Sequence, residues 1–137
     1  MSTFDIFTVA GSGMSAQSVR LNTVASNLAN AESVSTDPSQ VYRAKHPVFQ
    51  AASSSSGNQA STAVNVLGIT ESTAAPDSRY DPGNPLANAD GYVYSPNVNV
   101  VEEMADMISA SRSYQNDVEV MNTARNMLLD TLKLGQS

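Results

Sequence analysis

The sequence contains no cysteine and no tryptophan. Disulfides and thiolate metal sites are excluded, while the redox compartment stays open. One histidine is present, His46, so an imidazole metal site or a nucleophile–histidine–acid triad would have to centre on it. It stands beside Pro47 in a segment expected at a sheet edge, and reads as a surface or packing residue. Charge is sparse: 15% of the 137 residues are charged, with seven Lys and Arg against 13 Asp and Glu, for a net charge of −6. Nucleic acid is disfavoured as a partner, because phosphate contacts need a basic face. Polybasic membrane attachment is disfavoured for the same reason. No apolar run approaches the ~20 residues that cross a bilayer. Met1-Ser-Thr-Phe-Asp5 offers neither a basic nor an apolar leader region, so no cleaved signal is expected. Gly11-Ser-Gly13 lacks the GK[ST] and the preceding strand of a phosphate loop. With aromatics at 6%, a large globular core is not expected. Neither a cofactor, nor a small-molecule substrate, nor an enzyme activity is indicated.

What the sequence does have is a seven-residue repeat at each end. Met107, Tyr114, Met121 and Leu128 form one row, and Met104, Ser111, Val118, Arg125 and Leu132 a second, three residues earlier in each heptad. Together they predict one long helix from about Asn99 to Leu134 with a coiled-coil seam. Asn99 is the expected N-cap, with Glu102 in a capping-box position. Glu102, Glu103 and Asp106 sit near the positive end of the dipole, the ordinary reading of such a cluster, and their spacing is not that of a calcium loop. Gly135 suits a left-handed stop. A helix of about 35 residues is roughly 50 Å long, more than a domain of this size needs for its own core.

The N-terminal helix is predicted from Thr3 to about Ala31, with Ser2 as cap and Asp5 three residues on. Phe7, Met14, Leu21 and Leu28 recur at seven, flanked by Ala10, Gln17 and Val24. Gly11 and Gly13 cost about 1 kcal/mol each relative to Ala. They are tolerable where a neighbouring element approaches closely or the helix kinks. The bland alternative is a helix frayed over its first third.

Between the helices the period changes. Ser53 to Gln59 reads as a flexible tract. Val64, Val66 and Ile69 lie in a β-prone run, with Gly68 suited to a bulge. Val41 to Phe49 is a candidate strand that Pro47 confines to an edge or breaks. Asp81-Pro-Gly-Asn-Pro85 and Asp90-Gly91 are turns before a short Tyr92-Val93-Tyr94 strand. The expected fold is mainly α: an antiparallel coiled-coil pair of terminal helices, residues 1–31 and 98–137, around a small irregular β insertion, 32–97. Ile108, Val120 and Leu129 lie off the seam, so both helices carry more apolar surface than a two-stranded pair requires. Residue patterning alone ends at a helical protein that assembles through its termini.

The same residues resemble a known family. Leu21-Asn-Thr-Val-Ala-Ser-Asn-Leu-Ala-Asn30 is similar to the N-terminal signature of the bacterial flagellar axial proteins, the rod and hook subunits; Asn27, Leu28, Ala29 and Asn30 carry it. Tyr42-Arg-Ala-Lys45 with Phe49-Gln50, Gly83-Asn84-Pro85-Leu-Ala87, and Gly91-Tyr-Val93 with Pro96-Asn-Val98 resemble the proximal rod members of that family. So do Ser109-Ala-Ser-Arg-Ser-Tyr-Gln115 and Leu132-Lys-Leu-Gly-Gln136. The resemblance spans nearly the whole chain, leaving the Ser53 to Gln59 tract without a close counterpart.

It implies a structural subunit of the basal-body rod, the driveshaft of the flagellum in the periplasm. Such a subunit lacks a cleaved signal, passes through the flagellar type III export apparatus, and polymerises with other rod proteins and copies of itself. Its insertion faces neighbouring subunits and the basal-body rings. The assembly seams expected are Phe7, Met14, Leu21, Val24 and Leu28 on the first helix. On the second they are Met104, Met107, Tyr114, Val118, Met121, Leu128 and Leu132. Arg125, a charge on the seam row, is expected to meet an acidic residue of a neighbouring helix. A soluble coiled-coil adaptor or secretion chaperone, folding alone around a partner helix, is the competing class.

Overall fold

The computed structural model describes residues 3–52 and 62–135. The Ser2 cap and the Ser53 to Gln59 tract lie outside these residues. Two helices bracket two small antiparallel sheets: α1 (Thr3–Asn30), β1 (Lys45–Ala52), β2 (Ala63–Glu71), β3 (Asp77–Tyr80), β4 (Tyr92–Ser95) and α2 (Val100–Leu134). α1 is continuous through Gly11 and Gly13, with no break at either glycine. It ends where Asn30 turns: the Asn30 carbonyl accepts from Ser33 N at 3.1 Å and from Ser33 Oγ at 2.7 Å. α2 begins at Asn99, whose Oδ1 accepts from Val101 N at 3.1 Å and Glu102 N at 3.4 Å, satisfying two orphan donors.

Its other end corrects an expectation. Gly135 keeps right-handed geometry (φ −80°, ψ −7°), and its N–H still bonds to Thr131 O at 3.1 Å. The helical ladder runs out at this residue instead of being reversed by a left-handed one, so the stop does not use the freedom that glycine offers.

The first sheet pairs β1 with β2, from Lys45 opposite Glu71 to Ala52 opposite Ala63. Val48 faces Gly68 while Phe49 faces Val66, leaving Leu67 as an extra residue beside Gly68. Pro47 is accommodated because β1 has only one neighbouring strand among the described residues. This hairpin lies along α1. Lys45 bonds to Asn27 at one end, and Val64 N donates to Ser12 Oγ at 3.0 Å at the other. Fifteen helical residues rise about 22 Å, which an eight-residue strand matches at about 26 Å.

The second sheet pairs β3 with β4, from Asp77 opposite Ser95 to Tyr80 opposite Tyr92. Nothing in the Asp-Ser-Arg-Tyr composition of β3 signals a strand, and all four residues are exposed. Pairing with β4 creates it. Val93 on β4 is buried, and Tyr94 exchanges backbone hydrogen bonds with Ser35 (2.8 and 3.0 Å), tying the hairpin to the segment after α1. Tyr80 and Tyr92 meet edge to face with centroids 5.3 Å apart. Gly91 closes the turn at φ +80°, a conformation that costs other residues.

The helices pack on each other. The buried apolar residues of α1 and α2 are small ones, Ala10, Ala16, Val24, Ala110 and Ala124, which lets the two backbones approach. Asp117 shows how close: a Cβ built on Gly13 would lie 2.7 Å from its Oδ2. Here the glycine yields to a neighbouring side chain, not to a kink.

Candidate assembly site

Two kinds of surface concern assembly: the face on which α1 and α2 meet, and the faces they leave open. The meeting face is partly polar. Asn27 is fully buried, and each of its hydrogen-bonding positions is used. Nδ2 donates to Lys45 O and to Glu103 Oε1, both at 3.0 Å. Oδ1 accepts from Lys45 N at 2.8 Å and from Tyr42 OH at 2.9 Å. One side chain thus joins α1, the start of β1 and α2. A buried amide so satisfied costs little to bury and a great deal to break.

Glu103 is itself buried, at a position where an acid serving only the helix dipole would be solvated. Desolvation pushes the Tyr42 phenol above its ordinary range, and the Glu103 and Glu71 carboxylates add to the shift. Lys45 Nζ lies 5.8 Å from the Tyr42 ring centre. One turn further along α2, Asp106 Oδ1 meets Arg20 Nη2 at 2.8 Å, a half-exposed ion pair of small weight.

The anticipated seam residues divide. On α1, Val24 is buried, and Phe7, Met14, Leu21 and Leu28 are half-buried. On α2, Met107, Tyr114, Val118, Met121 and Leu128 are half-buried, while Met104 and Leu132 are 54% and 61% exposed. Met121 reaches α1, its Cε 3.9 Å from where a Cβ on Gly11 would be. The residues of α2 most buried inside the chain, Glu103, Ala110 and Ala124, belong to a row that apolar periodicity overlooks. Its α1 counterpart is Gly13, Arg20 and Asn27. Polar and small residues recurring at seven were the available signal.

Arg125 is exposed and makes no ion pair among the described residues. Of the signature residues, Asn30 Nδ2 donates back to Ser26 O at 2.8 Å, Leu28 is half-buried and Ala29 exposed. Gly83, Asn84 and Pro85 form a turn, in which Asn84 Oδ1 accepts from Leu86 N at 3.0 Å.

The open faces are apolar. Ile108, Val120, Met127 and Leu129 on α2 are 45–61% exposed. An open groove of about 430 Å³ between Ile6, Val120, Ala124 and Met127 continues this surface between the two helices. A second, polar cleft of about 200 Å³ holds His46, Glu102, Glu103 and Asp106. His46 is exposed there, and its carbonyl accepts from Thr70 Oγ1 at 3.2 Å. Among the described residues no cluster of His, Asp and Glu has metal-holding geometry, and no helix is long and apolar enough to cross a membrane.

Two terminal helices packed together, an intervening pair of β-hairpins and exposed apolar helix faces describe a helical structural subunit, and the similarities to known proteins place it in the flagellar axial class. The model for flagella basal body rod proteins matches residues 7–34, and the model for the C-terminal part of flagellar basal body rod FlgEFG proteins matches residues 89–134. The chain is 53% identical over 136 residues to the flagellar basal-body rod protein FlgC of Salmonella typhimurium, covering 99% of this chain and 100% of the relative. FlgC of Escherichia coli O6:H1 gives the same identity and coverage. FlgC of Bacillus subtilis is 37% identical over 153 aligned positions, covering 99% and 100%. The chain belongs to the FlgC family of flagellar basal-body rod proteins, and with it to the structural proteins of bacterial motility.

Proposed function

We propose that the chain is a structural subunit of the proximal rod, polymerising through its terminal helices into the driveshaft that transmits motor torque. Its partners are copies of itself, other rod proteins and basal-body ring components. It reaches the periplasm-spanning rod through the flagellar type III export apparatus, without a cleaved signal. In the finished subunit α1 and α2 form an antiparallel coiled-coil pair. Supporting that pairing, contacts at Gly11, Gly13 and Asn27 on α1 fall at Met121, Asp117 and Glu103 on α2, so partners descend as positions rise.

The observation that carries the assembly reading is the apolar surface left on the far side of α2. Ile108 and Leu129 are 56% and 45% exposed, although they stand on a helix that already has a partner. Surface of this kind marks an interaction site, and identical subunits joined by non-closing contacts build a helical tube. Residues of the same character run most of the length of α2, as a lateral interface between long helices requires. The seam residues Phe7, Met14, Leu21 and Leu28, and Met104 and Leu132 with the rest of their row, contribute to it. The family signature, Asn27 to Asn30 and Gly83 to Pro85, shapes the joint and the outer turn.

The test is complementation of cells lacking the chain. Wild-type protein is expected in purified basal bodies. A chain carrying Ile108→Asp and Leu129→Asp should be exported but absent from them. Recovery of the wild-type chain only as a soluble cytoplasmic dimer would instead indicate the adaptor or chaperone class.

A further inference from the structure

Two heptad-patterned helices carry an ambiguity: sliding one past the other by seven residues brings an equivalent row into contact. In this chain one facing pair within the rows is neither small nor apolar. We propose that Asn27 and Glu103 form a register lock that selects a single alignment of α1 on α2. This rests on the coiled-coil reading above.

Asn27 is 0% and Glu103 8% exposed, and they face each other at 3.0 Å. Slide α2 one heptad in one direction, and Ala110 comes opposite Asn27 while Glu103 moves past the end of α1 at Asn30. Slide it the other way, and Glu103 comes opposite Arg20 while Asn27 overruns the start of α2 at Val100. Either slip takes the carboxylate from a buried amide whose other three bonds, to Tyr42 and Lys45, hold it in place. A buried donor deprived of its acceptor is costly, and a single buried amide is an attested means of fixing helix register. Contacts such as Met121 on Gly11 also favour this alignment, since the positions seven residues either side of Gly11 are Phe4 and Ser18, but they leave no buried polar group unpaired when lost. A rival determinant exists. Residues 96–99 connect β4 to α2, and a slip of about 10 Å would also strain that connection and the Ser35–Tyr94 pairing and break the Arg20–Asp106 ion pair.

The two are separated by cysteine pairs, which are unambiguous in a chain without native cysteine. A Cβ on Gly13 would lie 3.2 Å from Asp117 Cγ, so Gly13→Cys with Asp117→Cys reports the observed register. Gly13→Cys with Ala110→Cys, and Gly13→Cys with Ala124→Cys, report the two slips. Purified basal bodies are oxidised, and intrachain disulfides are identified by monomer migration and peptide mass. With the lock intact only the 13–117 pair should form, and Glu103→Gln, which still accepts the hydrogen bond, should preserve that result. In the background of Asn27→Leu plus Glu103→Leu, one slipped pair should appear at a yield within about threefold of the in-register pair. If the doubly substituted chain is not incorporated, Glu103→Leu alone is read in the same way. Exclusive 13–117 linkage in the substituted chain would overturn the lock and leave the connection and the remaining contacts between the helices as the determinants. Absence of 13–117 linkage with the lock intact would overturn the coiled-coil reading itself.

Discussion

Asn27 Nδ2 donates to Glu103 Oε1 at 3.0 Å across 76 residues of sequence. The same amide group holds both backbone polar atoms of Lys45, the first residue of β1. One buried side chain therefore joins the helix pair to the start of the insertion, and its partners come from two separate parts of the chain, residues 42–45 and Glu103.

That geometry makes Asn27→Asp informative, since the shape is kept while the donor is lost and a negative charge is gained. The new oxygen would face Glu103 Oε1 and the Lys45 carbonyl, both acceptors. Breaking a buried charged contact in this way costs about 3 kcal/mol or more. Glu103→Gln in the same chain restores a donor towards residue 27 but leaves the Lys45 carbonyl unpaired, so it should recover about half of the loss. Thermal unfolding of the wild-type, single and double variants reads this directly. Equal stability of Asn27→Asp and wild type would remove Asn27 from its role as the joint.

Tyr42, which donates to Asn27 Oδ1, gives a pH dependence with a definite sign. Its folded-state pKa is raised, first by desolvation and then by Glu103 and Glu71, above the ordinary tyrosine value of about 10. Its neutral form is the one the fold favours. The stabilisation is complete below about pH 10 and is lost as pH rises through the folded value. Tyr42→Phe should lower stability at pH 7 by about 1 kcal/mol and lose less than the wild type between pH 9 and 11. Parallel melting curves for the two chains over that range would contradict it.

The parts of the fold legible in the sequence were those with a period. Phe7 to Leu28 and Met107 to Leu128 repeat at seven, and both helices are present. Asn99 announced its cap, and Asp90-Gly91 its turn. β3 was not legible, because Asp-Ser-Arg-Tyr has no apolar alternation and is a strand only through pairing with Tyr92–Ser95. The joint was hidden for a related reason. Asn27, Tyr42, Lys45 and Glu103 are ordinary polar residues until the fold brings them together, and Glu103 in a first helical turn has a sufficient local explanation. Met104 and Leu132 satisfy the heptad pattern yet are exposed in the single chain, since periodicity places residues on a face without saying which partner covers it.

The two hairpins differ in their tolerance at glycine. At Gly91 φ is +80°, and a Cβ would lie 2.8 Å from Tyr80 Cε2 and 3.3 Å from Pro82 Cβ. Gly91→Ala should cost about 1 to 3 kcal/mol and reduce amide protection through β3 and β4. At Gly68 a Cβ meets nothing within 4 Å, so Gly68→Ala should change stability by less than about 0.5 kcal/mol. Hydrogen exchange on both variants compares them within one experiment. A Gly91→Ala chain with wild-type protection at Tyr92 to Ser95 would show that the turn does not depend on its conformation.

The last prediction concerns Met121, which lies half-buried between Tyr114 and Leu128 with its methyl group against Gly11. A carboxylate there loses the apolar contact and is partly desolvated against α1, away from the solvent in which Arg125, one turn on, is exposed. Truncation alone at buried positions costs about 2 to 5 kcal/mol, and an unpaired charge adds to that. Every copy in an assembly repeats the defect, so incorporation should fail. Export should survive if the chain leaves the cell unfolded, because an unfolded chain does not use the helix face. Met121→Asp cells should therefore secrete the subunit, yield basal bodies without it and form no motility halo. Asn126→Asp changes an exposed residue in the polar row of α2 that also holds Arg112 and Lys133 and should leave all three readouts intact, which separates loss of the seam from added charge. Motility halos, immunoblots of exported protein and purified basal bodies make the comparison. If Met121→Asp cells swim as the wild type does, the face of α2 that contains Met121 is not where this subunit is held together.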